Sequence, residues 1–258
     1  MKHDVNQILQ EEQIHSIESS DCWTLDIGNA RYKWGVFRKG QLINHGSDNS
    51  ASKIASHLKA HGVKKLWTSQ VCPPREKALR PLLSPFCHMH VFRYPIPNLP
   101  IKINYRTPDT LGMDRIAQAL AAYRMAAGSH LLIFSLGTCM VHSFLNQKGI
   151  LIGGGISPGL NLRIKSLKNL PSLPQLSPKP FEELSGQDTQ ESLQVGIVNG
   201  LWHEIEGICH AYQCKYPDLK VFCTGGEASF FENKWKSSTL LCPHLVLYGL
   251  YELRLLCT

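Results

Sequence analysis

The sequence predicts an α/β fold built from two related halves. Three observations lead there. One short pattern occurs twice, strand-like segments alternate with helix-like ones, and a third glycine turn follows an apolar run near the C-terminus. The first copy reads D-I-G-N-A-R-Y-K-W-G-V-F-R-K-G-Q-L-I, Asp26 to Ile43. The second reads S-L-G-T-C-M-V-H-S-F-L-N-Q-K-G-I-L-I, Ser135 to Ile152. Aligned without a gap, Gly28 meets Gly137, Lys39 meets Lys148, Gly40 meets Gly149, Leu42 meets Leu151 and Ile43 meets Ile152. Average residue usage would give roughly one identity over such a length. Each copy holds an apolar run, a tight glycine turn, an extended stretch, a Lys-Gly turn and a return strand. Two such units predict two lobes that serve one nucleotide.

The elements follow in order. Residues 23–37 and 41–47 read as a hairpin joined at Lys39-Gly40. Ile54 to His61 reads as a helix, Leu66 to Ser69 as a short strand, and Pro73 to Leu83 as a capped helix or turn. Val91 to Tyr94 reads as a strand, and the following P-I-P-N-L-P fits neither a central strand nor a helix interior. Thr107-Pro108-Asp109-Thr110 supplies helix-start chemistry. Leu111, Ile116, Leu120 and Tyr123 then recur near helical spacing up to Ala127. Leu131 to Phe134 is wholly apolar and predicts a central, buried strand.

After Ile152 comes G-G-G-I-S-P-G-L, whose glycines demand unusual backbone angles or close approach. A helix is expected from about Leu160 to Leu167, a Pro- and Ser-rich loop over 169–188, and a long helix from Asp188 or Thr189 to about Tyr212. Gly196 and Gly200 share a face of that helix, which predicts close helix packing or a dimer contact. Leu219 to Cys223 reads as a strand ending at T-G-G-E-A. A short strand and an amphipathic helix near Leu245 to Leu256 close the chain.

A chain of 258 residues, 43% hydrophobic and 18% charged, can bury a large core and is not disordered. No apolar run reaches the roughly 18 residues of a membrane span, and the first residues lack a secretory apolar region, so a cytoplasmic protein is expected. The nine cysteines are scattered without a C-x-x-C pair, and Cys139, Cys209 and Cys223 lie in apolar runs, which predicts buried free thiols. Cys87, His88 and His90 could begin a metal site, but no second cluster with ligand spacing follows, and an ordinary strand is the reading. The net charge of +7 favours anionic ligands. The basic residues are spread along the chain without an aromatic platform, so no nucleic-acid partner is expected.

Two constellations carry chemistry. In D-I-G-N a carboxylate at a strand end can hold magnesium through water, and the glycine lets turn amides face phosphate oxygens. The related S-L-G-T and T-G-G turns strengthen a motif that alone is usually just a hairpin. In L-G-M-D-R, Leu111 to Arg115, an acid and a base sit at a helix start. There Asp114 could take a proton from a hydroxyl while Arg115 holds an anionic group.

With D-I-G-N-A-R-Y-K-W-G-V-F, Y-R-T-P-D-T-L-G-M-D-R, G-G-G-I-S-P-G-L and T-G-G-E-A in this order and spacing, the chain resembles type III pantothenate kinases from about Trp23 to Leu256. It looks most like the branch found in Bacteroidetes-type bacteria. The resemblance implies two RNase H-like, actin-like ATPase lobes with mixed sheets flanked by helices. The expected limits are an extension over 1–21, a first lobe over 22–117 and a second over 118–258. It implies ATP-dependent phosphorylation of pantothenate to 4'-phosphopantothenate, with magnesium and a monovalent cation, potassium or ammonium, as cofactors, and a homodimer as the assembly. Asp26, Ile27, Gly28, Asn29, Ala30, Arg31, Tyr32 and Lys33 match the first phosphate loop, with Asp26 near magnesium. Tyr105, Gly112, Met113, Asp114 and Arg115 match the pantothenate-binding segment, with Asp114 the general base. Thr138, Gly225 and Gly226 match nucleotide contacts, and Thr189 matches a substrate contact.

The chain departs from the family pattern twice. Ala30 stands for the usual Thr, and Ser135 stands for an Asp that helps bind the monovalent cation. A hydroxyl can ligate potassium but brings no formal charge. Ser135 therefore supports a rival reading, a catalytically weakened homologue that binds nucleotide or a protein partner in an accessory role.

Overall fold

The computed structural model describes residues 21–236 and 238–257, so the expected extension over 1–21 lies outside the described residues except for Asp21. Strand β1 (Cys22–Ile27) is buried from Trp23 onward and takes a central place. It pairs antiparallel with β2 (Tyr32–Arg38). The chain then reverses at Lys39 and Gly40, both at positive φ (48° and 88°), into β3 (Gln41–Asp48). That pair of angles suits the twist of a two-residue hairpin. Helix α1 (Ala51–Ala60) starts at Ser50, whose hydroxyl accepts the Lys53 N–H. Strand β4 (Lys65–Gln70) returns parallel to β1. Helix α2 (Pro73–Leu83) opens on a proline, and β5 (His88–Val91) lies parallel to β4, giving the order β3-β2-β1-β4-β5. The strand expected over Val91 to Tyr94 thus comes earlier. Of C-H-M-H, His88 to His90 extends along β4 with Met89 buried, the ordinary strand expected there.

A short strand β6 (Lys102–Ile103) and a 3-10 turn (Pro108–Thr110) lead to α3 (Met113–Met125). The second sheet repeats the plan of the first. Strands β7 (Leu131–Leu136), β8 (Cys139–Leu145) and β9 (Ile150–Pro158) form an antiparallel meander. Helix α4 (Leu160–Leu167) follows, then α5 (Thr189–Leu193), a π-helical stretch (Gln194–Asn199) and α6 (Gly200–Lys215). Strands β10 (Lys220–Thr224) and β11 (Leu240–Leu241) add in parallel, and α7 (Leu245–Leu255) ends the chain. Five strands of the six-stranded second sheet, in the order β9-β8-β7-β10-β11, match β3-β2-β1-β4-β5 strand for strand. The repeated sequence pattern is therefore a repeated fold, with β1 and β7 equivalent. Even the bulges recur, at Val36/Phe37 and Phe144/Leu145. This mixed order is the RNase H-like arrangement.

The G-G-G segment lies inside β9 and shows the unusual angles and close approach expected of it: Gly153 and Gly154 have φ of 146° and 156°, and a Cβ at Gly154 would stand 1.8 Å from His142 O. Three other expectations change in detail. The long helix carries a π-helical stretch at Gln194–Asn199. Close packing of Gly196 and Gly200 within the chain is not found: a Cβ at Gly196 would meet nothing within 4 Å, and one at Gly200 only Val195 O at 3.9 Å. Of the cysteines singled out, Cys223 is buried, whereas Cys139 and Cys209 keep partial exposure.

By their contacts the described residues form two units, one reaching Met125 and resuming at His244, the other spanning Ala126–Pro243. The expected boundary at 117/118 cut through α3 and gave α7 to the second lobe. Instead α7 buries Leu247, Leu250 and Leu253 in the first unit, where it packs along α3. The first unit's core is built on Leu25, Ile27, Val36, Ile54, Leu58 and Leu66. The second rests on Leu132, Phe134, Val198, Leu201, Ile205 and Cys223.

Candidate active site

In the first unit, the end of β1 and the start of α3 assemble an acidic pair. Asp26 is 6% exposed, and β1–β4 pairing sets it opposite Ser69. Ser69 Oγ donates to Asp26 Oδ1 at 2.7 Å. Burial pushes the Asp26 carboxyl above its ordinary pKa, while Lys33, its partner across the β1–β2 ladder, and the Ser69 hydroxyl pull it down. Asp114 stands in the first turn of α3. Desolvation raises its pKa to about 6, the charge of Asp26 adds to the rise, and the backbone N–H of Arg115 and the Arg115 charge oppose it. Gly112 makes room for this carboxyl, since a Cβ there would stand 2.4 Å from Asp114 Oδ1. The two acids are 88 positions apart in sequence and interact through space in the fold.

The rest of the first loop divides by burial. Ile27 is fully buried, so only its backbone can face a ligand, whereas Asn29, Ala30 and Arg31 are exposed. The Gly28 N–H donates to Arg31 O at 3.1 Å and closes the turn. Tyr32 is a core residue whose hydroxyl donates to Arg75 O at 2.9 Å. Met113 and Arg115 are also buried, and the Arg115 guanidinium lies 5.8 Å from the Tyr105 ring centroid.

The second unit presents the other candidate groups. Ser135 and Thr224 are direct partners across β7 and β10, the counterparts of Asp26 and Ser69 in the first sheet. The turns that follow, Gly137-Thr138 and Gly225-Gly226, therefore emerge side by side at the C-terminal ends of two parallel strands. That is where α/β sheets bind ligands. Thr138 and Gly226 are exposed. Gly225 has φ +100°, and a Cβ there would lie 2.1 Å from Leu136 O. Thr189 is the exposed first residue of α5, and Asp188, not Thr189, caps it by accepting the Glu191 N–H at 2.8 Å.

Two further residues escaped the sequence reading. Ser69 is the penultimate residue of β4 with no motif around it, and only pairing puts it on Asp26. Glu227 follows the T-G-G turn, and its carboxylate accepts the Leu160 N–H at 3.0 Å and the Asn161 side chain at 2.7 Å. A usable signal for Ser69 was the repeat itself, because the strand pairing Asp26 must have a counterpart pairing Ser135.

The family model for type III pantothenate kinase matches residues 23–211. The chain belongs to the type III pantothenate kinase family. A relative of that name from Cytophaga hutchinsonii is 36% identical over 227 residues, covering 88% of this chain and 95% of the relative. Among solved structures, a candidate Baf family transcriptional activator from Campylobacter jejuni is 20% identical with a TM-score of 0.58, covering 90% of this chain and 96% of its own. A candidate 2-dehydro-3-deoxygalactonokinase from Sinorhizobium meliloti is 9% identical with a TM-score of 0.55, covering 90% and 97%. These two likenesses show the fold alone. No helix among the described residues is long and apolar enough to cross a membrane.

Proposed function

We propose that this member of the family transfers the γ-phosphoryl group of ATP to the primary hydroxyl of pantothenate, the first step towards coenzyme A. The carrying observation is the pair Asp26 and Asp114. A carboxyl brought to about 6 by burial and a neighbouring acid is ionised at neutral pH yet basic enough to accept a proton. Asp114 takes the hydroxyl proton as the oxygen attacks, and Arg115 and Tyr105 orient the acceptor. Amides of the glycine turns at 137–138 and 225–226 hold the nucleotide phosphates.

Asp26 suits magnesium. Two nearby carboxylates with Lys33 as counter-charge leave room for a cation, and the described residues hold no cluster of three or more acidic, His or Cys ligands. That fits an ion that keeps waters and phosphate oxygens as ligands. When bound, magnesium neutralises phosphate charge. Ser135 would contribute a hydroxyl to a weak monovalent-cation site. We place the protein in the cytoplasm as a homodimer, with the exposed Gly196 face of the α5–α6 segment at the contact and Thr189 contributing to acceptor binding.

A coupled assay with ATP and pantothenate tests the reading. Pantothenate-dependent ADP release is expected, and its absence at high potassium and ammonium would favour the second reading, a nucleotide-binding accessory homologue, which Ser135 supports.

A further inference from the structure

We infer that Glu227 is a positioning residue for the nucleotide half-site, locking three turns of the second unit into one frame. This rests on the reading of Thr138, Gly225 and Gly226 as nucleotide contacts. Helix α4 begins at Gly159, which has no side chain to cap it. Its first amides are instead capped from 67 and 66 residues away. Glu227 accepts the Leu160 N–H at 3.0 Å, the Asn161 N–H at 3.4 Å and the Asn161 side-chain N–H at 2.7 Å. A carboxylate there also complements the positive end of the helix dipole.

The same residue is tied to the other two turns through its backbone. The Glu227 N–H donates to Leu136 O at 3.1 Å, just before Gly137 and Thr138. Gly159 N–H donates to Thr138 O at 3.0 Å, and a Cβ on Gly159 would stand 2.0 Å from Gly137 O. The backbones at 136–138, 159–161 and 225–227 are thus in direct contact, and the Glu227 carboxylate is the side chain that joins the third to the second. Its neighbours Gly225 and Gly226 gain their position from that link. Occupying the amides of α4 has another effect: those donors no longer compete for phosphate, which leaves the glycine turns as the anion-binding donors of this unit.

The test uses the full chain as wild type, Glu227→Gln and Glu227→Ala. Calorimetric titration with ADP and magnesium gives nucleotide affinity, steady-state assays give the KM for pantothenate, and thermal unfolding gives Tm. The Ala variant should bind ADP about tenfold more weakly, and the Gln variant, which keeps an acceptor but loses the charge, by a smaller factor. The pantothenate KM should stay within twofold in both. An Ala variant that binds ADP within twofold of wild type overturns the positioning role. So does a loss of affinity for ADP and pantothenate together that tracks a fall in Tm, since that marks general structural damage. Wild-type protein that does not bind ADP overturns the nucleotide assignment itself, and is told apart because no variant is needed to see it.

Discussion

Replacing Asp114 by Asn should make the protein more stable and nearly inactive at once. The Asp114 carboxyl carries a pKa of about 6 in the fold, against 3.8 for the ordinary group, mainly because burial strips water from the charge. The folded chain therefore holds this proton more tightly than the unfolded chain. Stability falls as pH rises from about 3.8, and the full cost is reached above about 6. The difference corresponds to up to about 3 kcal/mol, less what solvent screens at the partly exposed carboxyl. Asn keeps the shape and the oxygen that accepts the Arg115 N–H, and removes the charge. At pH 7.5, without nucleotide or metal, Tm should rise by several degrees at about 2–4 °C per kcal/mol for a chain of this size. Near pH 3, where the wild-type carboxyl is largely protonated in both states, the two proteins should melt together. Turnover of the same variant should drop by about 10²–10⁴. Wild-type turnover should rise about tenfold per pH unit up to about 6 and then level, because the base works only when ionised. Calorimetry at the two pH values and the coupled assay check both arms. An Asn variant no more stable than wild type at pH 7.5 would refute the desolvated charge, and one keeping over half of wild-type turnover would refute the base.

Four other outcomes follow from the same site. Ser69→Ala removes a 2.7 Å hydrogen bond that favours ionised Asp26, so Asp26 should titrate at higher pH and the magnesium concentration for half-activity should rise, most clearly on the acid side. An unchanged magnesium response between pH 5.5 and 7.5 would count against it. Gly225→Ala forces φ +100° and contact with Leu136 O on a side chain, so ADP binding should fall at least tenfold; unaltered affinity in calorimetry would show that this turn does not hold nucleotide. Native activity should be low or nearly independent of potassium, and Ser135→Asp should make it rise with potassium. Strong activation of the native protein at a few millimolar, unchanged in the variant, would clear Ser135 of control over the site. Sedimentation at micromolar concentration should give a dimer of the 28.9 kDa chain, and an active monomer would sink that assembly.

Much of this was written in the chain itself. Local chemistry announces its elements: Ser50 caps α1, Pro73 opens α2, and Lys39-Gly40 closes a hairpin. The pattern repeated at a spacing of 109 residues determined more, because two copies of it impose one strand order on both sheets. The acids Asp26 and Asp114 and the glycine turns stood out as chemistry that ordinary packing does not require. Pairing and packing decided the rest. Ser69 reaches Asp26 only because β4 lies parallel to β1 in that register. Glu227 caps a helix that starts 67 residues earlier, which no local pattern reports. The last helix joins the first unit because its leucines bury there rather than beside their sequence neighbours. The pKa of Asp114 depends on desolvation and on a charge 88 residues away. Sequence fixes what acts over a turn or a repeat. Burial, register and through-space charge are long-range sums, and they exist only once the chain has folded.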